Sequence, residues 1–268
     1  MNDRRSAHEE EHYQRVRVFH DGDASRYLDA RYGAATVVQL GYLVRRQLVL
    51  EMIGNVRGDV LDCGCGPGPL FMDVATEGRR LFATDISLEM LRTARSELLR
   101  LGRPPLVCAS NLVDASLKHA SFDCIVCVGV LGYVVNVGEA MREIRRMLRD
   151  QGVAILQTSN RLSWKERLYE NVIPRIKKRL GSTQTYGLGV DFPLHSYDKK
   201  SFDQRLLHVG LDVVDWCYYD FQIPLLEKVS PRLSLAFARK MQRFGRSGWA
   251  RYLGGGYLVK VSKRQEAH

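Results

Sequence analysis

The stretch VLDCGCGPG, Val60 to Gly68, places a short apolar run ahead of three alternating glycines, Gly64, Gly66 and Gly68. Glycines there let the chain turn sharply out of a strand and bring its backbone close to a ligand. A dinucleotide loop spaces its glycines G-x-G-x-x-G and receives a pyrophosphate at a helix N-terminus. This spacing is one residue tighter, and Asp62 stands two residues ahead of the first glycine. A carboxylate in that position repels a pyrophosphate and attracts an ammonium group. No Gly-Lys-Ser/Thr follows, so a P-loop is excluded. Cys63 and Cys65 alternate on a strand with no ligand partners clustered beside them, so no metal site is expected. Asp85 closes the next strand-like run, LFATDI, where an acid can accept hydrogen bonds from both ribose hydroxyls. A ligand with an amino-acid end, a ribosyl end and no phosphate is S-adenosylmethionine, and that is the cofactor expected.

The elements that must position these residues are legible from periodicity. Val37, Leu40, Val44 and Leu48 have helical spacing within Ala34 to Ile53, ahead of the loop. Val60 to Leu61 begins a strand and Leu81 to Ile86 is a second. A helix over Leu88 to Leu101 follows, capped by Ser87 at least as well as by Asp85. Leu106 to Ala109 is a short third strand, and Asp123 to Val130 is near-continuously apolar, as a strand covered on both faces must be. Cys124 and Cys127 are three apart on it and face opposite sides, which makes them core residues rather than a redox pair. Glu139 to Leu148 is a helix with Met141, Ile144 and Leu148 inward and its arginines outward, and Gly152 turns into a strand over Val153 to Thr158. A helix over Lys199 to Val209 and strands over Leu211 to Tyr219 and Tyr257 to Ser262 complete the pattern. Strands alternating with helices predict an α/β fold, a parallel sheet wound on both sides that binds its ligand beyond the carboxyl ends of the strands.

The 268 residues are 45% apolar, enough for one large domain with a buried core. No run is long and apolar enough to span a membrane, and MNDRRSAHEEEHYQRVR lacks the apolar segment of a signal peptide. The six cysteines sit mostly in apolar runs. These features predict a reduced, cytoplasmic protein. The net charge of +10 is concentrated in two stretches, Arg161 to Leu180 and Lys228 to Arg251. Each carries seven bases, and the second has no acid. Their candidate partners are nucleic acid, an anionic membrane or an acidic substrate; the plain alternative is a solvated basic face.

VLDCGCGPG, then ATDIS, SFDCIVCVGVLGYV, the arginine-rich helix and GVAILQT form an ordered set that resembles the class I S-adenosylmethionine-dependent methyltransferases, in particular the group related to ubiquinone-pathway methyltransferases. The resemblance covers residues 25 to 160 well and the remainder more loosely. It implies a Rossmann-like seven-stranded sheet whose last strand runs antiparallel. It also implies that Asp62, Gly64 and Gly66 hold the methionine end and Asp85 the ribose. Ile86 and Met90 would pack near the adenine, and Asn111, with Leu112 beside it, stands where relatives often carry an acid for the adenine amino group. Gly129 would admit the cofactor to the backbone. The implied layout is one methyltransferase domain: an N-terminal helical lid (1–53), a cofactor-binding core (54–160), a basic insertion (161–194) and the remaining sheet (195–268) with a helical insertion (222–255).

Methyl transfer from a sulfonium mainly needs alignment and water exclusion, so no catalytic residue is obligatory. Amino methyltransferases carry N/D-P-P-aromatic after the fourth strand, where this chain reads VGVLGY, and its Pro104-Pro105 precedes the third strand. Cytosine C5 chemistry needs a loop cysteine and arginine methylation a paired-glutamate loop, and neither is present. A small-molecule O- or N-methyltransferase is the leading expectation, its acceptor apolar or lipid-linked. Two alternatives stay open, an RNA methyltransferase using the basic stretches and a non-catalytic cofactor-binding interaction protein. Tyr27, Tyr32, Tyr42, Arg45 and Arg46 mark Ala24 to Arg46 as a lid, with tyrosine faces suited to a sulfonium; Arg45 and Arg46 cannot both face inward on one helix. His195 is a candidate general base. Leu233, Phe237, Met241 and Phe244 form an apolar stripe on a basic helix that could lie on a membrane, cap the site or pack on the sheet.

Overall fold

The computed structural model describes residues 2–33, 35–76, 78–100, 106–168, 192–223 and 226–265. At its centre β1 (Gly58–Cys63), β2 (Arg79–Asp85), β3 (Leu106–Ala109), β4 (Phe122–Cys127) and β5 (Leu148–Asn160) run parallel in the order β3-β2-β1-β4-β5. β8 (Gly254–Lys263) runs antiparallel between β5 and the edge strand β7 (Leu211–Phe221), and β6 (Ser196–Tyr197) is a two-residue addition to β5. The seven main strands and the antiparallel last strand match the expected architecture.

Side chains alternate across this sheet into two cores. On one face Val60, Ala83, Cys124 and Val126 meet α3 (Val37–Ile53) through Leu48, Val49, Met52 and Ile53, and α5 (Leu88–Arg100) through Leu91, Ala94 and Leu98. On the other, Leu61, Cys63, Ile125 and Cys127 meet α6 (Val137–Met147) through Met141, Ile144 and Met147, and α8 (Lys199–His208) through Phe202 and Leu206. Cys124 and Cys127 thus fall in different cores, as their spacing requires. Between these lie α4 (Phe71–Val74) and α7 (Trp164–Arg167). The N-terminal ends of the strands are tied by charge. Asp59 accepts from Arg80 at 2.6 and 2.8 Å and from Arg149 at 3.0 Å.

α1 (Asn2–Asp23) and α2 (Tyr27–Tyr32) precede α3, which begins on a capping box in which Thr36 Oγ1 accepts from Gln39 N–H. Several boundaries differ from the periodicity, among them those of β5 and β4. β5 begins at Leu148 and runs through Gly152, with its register against β4 shifting between Phe122 and Cys124. β4 ends at Cys127, and the next residues form a turn in which Gly129 has φ +79°.

In the second insertion, α9 (Leu226–Val229) leads to α10 (Pro231–Gln242), opened by the Ser230 cap and Pro231. The apolar stripe is rotated from its expected position. Phe237 and Met241 do pack on the core, but they are joined by buried Ser234 and Ala238, while Leu233 faces outward. Small side chains let the helix axis approach the sheet closely, and that decides which face turns in. In the first insertion, Arg175, Lys177, Lys178 and Arg179 lie outside the described residues, as does Pro104-Pro105.

Candidate functional site

The register of the sheet brings the carboxyl ends of β1, β2 and β4 side by side. Asp62 pairs with Ala83 and Val126, and Asp85 pairs with Ala109 on β3. Two adjoining clefts open above these ends and share Tyr27, Gly64 and Val128. The first is lined by Gly66, Asp85, Ile86, Met90, Asn111, Leu112 and Gly129 on the sheet side. The second is lined by Asp62, Cys65 and Leu70 below and by Tyr32, Arg45 and Arg46 above. All nine expected cofactor residues therefore line these two adjoining clefts, and local bonding fixes the acids and glycines among them.

Asp85 accepts from Gly66 N–H and from Ser87 N–H, each at 2.8 Å, one on each carboxylate oxygen. Each oxygen keeps a lone pair for a further donor, such as a ribose hydroxyl. Burial pushes its pKa up, and the Ser87 and Gly66 N–H groups partly offset this. Ser87 caps α5 by accepting from Met90 N–H at 3.1 Å. Gly66 has φ +53°, and a methyl added there would find only the Tyr27 ring at 3.9 Å and Met90 Sδ at 4.0 Å. The loop floor is therefore open space at the position where a ligand would pass. Gly64 has φ +69° and a side chain there would collide with Val130, so that glycine is also required by packing.

Asp62 is 5% exposed, and among the described residues no donor hydrogen-bonds its carboxylate. Burial, and then the neighbouring charge of Asp85, push its pKa up to about 7, against the opposing effect of Arg45. A buried acid without a donor is costly in its ionised form, and a ligand ammonium would supply the missing partner. The residues present thus fit both ends of S-adenosylmethionine.

Above the loop, Arg45 is the arginine that turns inward. Its guanidinium stacks on the Tyr42 ring at 4.5 Å and reaches the Tyr32 hydroxyl at 3.4 Å. Arg46 pairs with Asp73 at 2.5 Å, so its charge is already answered although its side chain borders the second cleft. Tyr42 packs edge-on to Tyr32 at 5.7 Å and does not line either cleft. Tyr27 lies under Arg31 at 4.0 Å and divides the two clefts. His195 is not among the lining residues; its backbone N–H donates to Gly132 O at 2.8 Å, and burial lowers the pKa of its ring. The histidine that does line the first cleft is His20, whose pKa burial and then Arg31 press down to about 4.

Sequence reasoning missed a whole wall of the first cleft. Tyr13, Val16 and His20 project from α1, and Tyr133 and Val134 face them from the turn after β4. His20 packs edge-on to Tyr133 at 4.9 Å, and His12 Nε2 lies 2.7 Å from Tyr133 O, tying α1 to that turn. The signal was present: residues 13, 16 and 20 have the i, i+3, i+7 spacing of one helical face.

This fold and cleft agree with the comparisons. The Methyltransferase domain family matches residues 61–156. An uncharacterised protein of Methanocaldococcus jannaschii is 30% identical over 183 residues, 64% of this chain and 68% of that protein. The ubiquinone biosynthesis O-methyltransferase of Sodalis glossinidius is 28% identical over 44% of this chain and 48% of its own length. The chain spans about half the length of most of the curated relatives it matches. Among solved structures, a putative methyltransferase of Haloferax volcanii, in complex with the Trm112 methyltransferase activator, superposes with a TM-score of 0.63 at 17% identity, over 94% of this chain and 99% of that one. Magnesium protoporphyrin IX methyltransferase from Synechocystis gives 0.60 at 15% identity, over 93% and 98%. At such identities these two speak for the fold alone. The methyltransferase domain matched over residues 61–156, carried on this sheet, is that of a class I S-adenosylmethionine-dependent methyltransferase.

Proposed function

We propose that the protein is an enzyme that transfers a methyl group from S-adenosylmethionine to an oxygen or nitrogen of a small, apolar or lipid-linked metabolite. The observation that carries this reading is the buried, donorless Asp62 beside Asp85, whose two oxygens are aimed by the Gly66 and Ser87 amides. Asp62 would hold the ammonium, Arg45 the carboxylate and Asp85 the ribose. Ile86, Met90 and Leu112 would flank the adenine, with Asn111 at its polar edge. Bound in this way, the cofactor supplies an electrophilic methyl group that needs no further activation.

What remains for the chain is to align the acceptor, keep water out and, for a hydroxyl, receive a proton. The wall of Tyr13 and Tyr133 with the aliphatic Val16 suits a flat, apolar acceptor better than a charged one. His20 stands in that wall, and the burial that keeps its imidazole neutral also makes it a weak base, suited to take the proton only as the acceptor oxygen gains the methyl group and turns acidic. We therefore give His20 the role first considered for His195. Among the described residues no group of three or more His, Cys, Asp or Glu side chains could hold a metal ion, and no helix is long and apolar enough to cross a membrane.

Calorimetric titration with S-adenosylhomocysteine tests the cofactor site. Asp85→Ala should weaken binding about tenfold or more, the scale of losing charge-assisted hydrogen bonds, while the melting profile shows a folded protein. Unchanged affinity in that variant would overturn the assignment.

A further inference from the structure

The insertion between β7 and β8 carries charge that the rest of the molecule does not answer. From Lys228 to Leu253 it holds seven bases and no acid. Arg246 is paired with Asp215 on β7 at 2.8 Å. Among the described residues, Lys228, Arg232, Arg239 and Lys240 have no acidic partner, and all four are exposed. The burial of Ser234 and Ala238 fixes the orientation of α10, and a helix so oriented turns Arg232, Arg239 and Lys240 away from the sheet.

Two large apolar side chains stand among these bases. Val229 is 82% exposed and Leu233 62% exposed. Leu233 and Lys240 lie two turns apart on one edge of the outward face, and Arg232 and Arg239 lie two turns apart on the other. A polyanion such as RNA would neutralise the bases but give the valine and leucine nothing apolar to enter. A membrane of anionic lipids offers both phosphates for the bases and an acyl boundary for the apolar pair.

We propose that this outward face of α9 and α10 docks the protein on an anionic lipid surface, with Val229 and Leu233 entering the headgroup boundary between the flanking bases. The docking face is joined to the lid. Glu227, the residue before Lys228, accepts from Val37 N–H at 2.9 Å, at the first turn of α3. A surface that fixes the insertion therefore also holds the N-terminal turn of α3. The inference rests on this surface alone and does not require the acceptor to be a lipid.

The test is flotation of the full chain with vesicles of phosphatidylcholine alone and of equimolar phosphatidylcholine and phosphatidylserine. The protein should float with the anionic vesicles only, and less so as salt is raised. Reversing two charges, Arg239→Glu with Lys240→Glu, should lower the bound fraction's partition constant about tenfold or more. Leu233→Gln should also weaken binding while leaving its salt dependence intact. All three positions are exposed, so melting temperature and S-adenosylhomocysteine affinity should match the parent protein. Failure to float on anionic vesicles would overturn the proposal. So would equal flotation of the charge-reversed variant, or capture of a single-stranded RNA through Arg239 and Lys240 in place of vesicles. Flotation that persists in a protein unable to bind S-adenosylhomocysteine would leave docking standing and remove the enzymatic reading instead.

Discussion

The carboxyl group of Asp62 links pH, stability and ligand affinity at a single position. Its pKa in the folded protein, about 7, lies above that of an unfolded aspartate, because burial and Asp85 disfavour the charge. Between pH 4 and 7 the folded state therefore binds a proton that the unfolded chain has released. Stability is fully present below the unfolded pKa and is lost as pH rises through about 7, by on the order of 4 kcal/mol. Asp62→Asn should flatten this dependence, so that the ligand-free variant melts above the parent at pH 8 and by a clearly smaller margin at pH 5. The cofactor's ammonium needs the ionised form, so parent affinity should rise from pH 5 to 7.5 while the variant's affinity stays low and flat. Melting curves and titrations at both pH values would check this, and a parent affinity that falls with rising pH would refute it. Asp62 and Asp85 were legible in the sequence because each stands at the carboxyl end of a strand, Asp62 just ahead of the glycines, where backbone spacing alone fixes a side chain's position. Arg45 against Arg46 was not, since the choice depends on Asp73, 27 residues away, as well as on the nearer Tyr32 and Tyr42.

Elements differ in how much of their environment the sequence carries. The strands β1, β2 and β4 and helices α5, α6 and α8 bury apolar residues with a clear period, and the sequence places them to within a few residues. α1 is different. Its face of Tyr13, Val16 and His20 is set among many charged residues, so the pattern that directs it over the cleft is faint. α10 was read as a helix but turned on its axis, because the residues that pack closest, Ser234 and Ala238, are small rather than hydrophobic. We propose that α1 shares the lid role expected over Ala24 to Arg46, since Tyr13, Val16 and His20 line the first cleft. Hydrogen exchange over α1 and α2 should slow when S-adenosylhomocysteine is added, as closing segments lose their opening motions. Removing residues before Val37 should abolish methyl transfer more completely than it weakens cofactor binding, because Tyr13, His20 and Tyr27 leave together. Full turnover by the truncated chain would place the acceptor wall elsewhere.

On the scale of the whole molecule, the sheet separates two tasks. The N-terminal ends of its strands are tied by Asp59, Arg80 and Arg149, and the carboxyl ends carry the glycine loop, the two acids and the aromatic wall. A basic, partly apolar insertion flanks the lid at the far edge, joined to it through Glu227 and Val37. This arrangement fits an enzyme that draws an apolar acceptor into a cleft closed from water. The most direct measurement is to incubate the purified protein with methyl-tritiated S-adenosylmethionine and, separately, quinol and phenol, lipid-extract and RNA pools. The account predicts label in the organic phase from the apolar pools, lost in Asp62→Asn and Asp85→Ala and strongly reduced in His20→Ala when a hydroxyl is methylated. Label confined to RNA, or no label in any pool from a protein that binds S-adenosylhomocysteine, would contradict it.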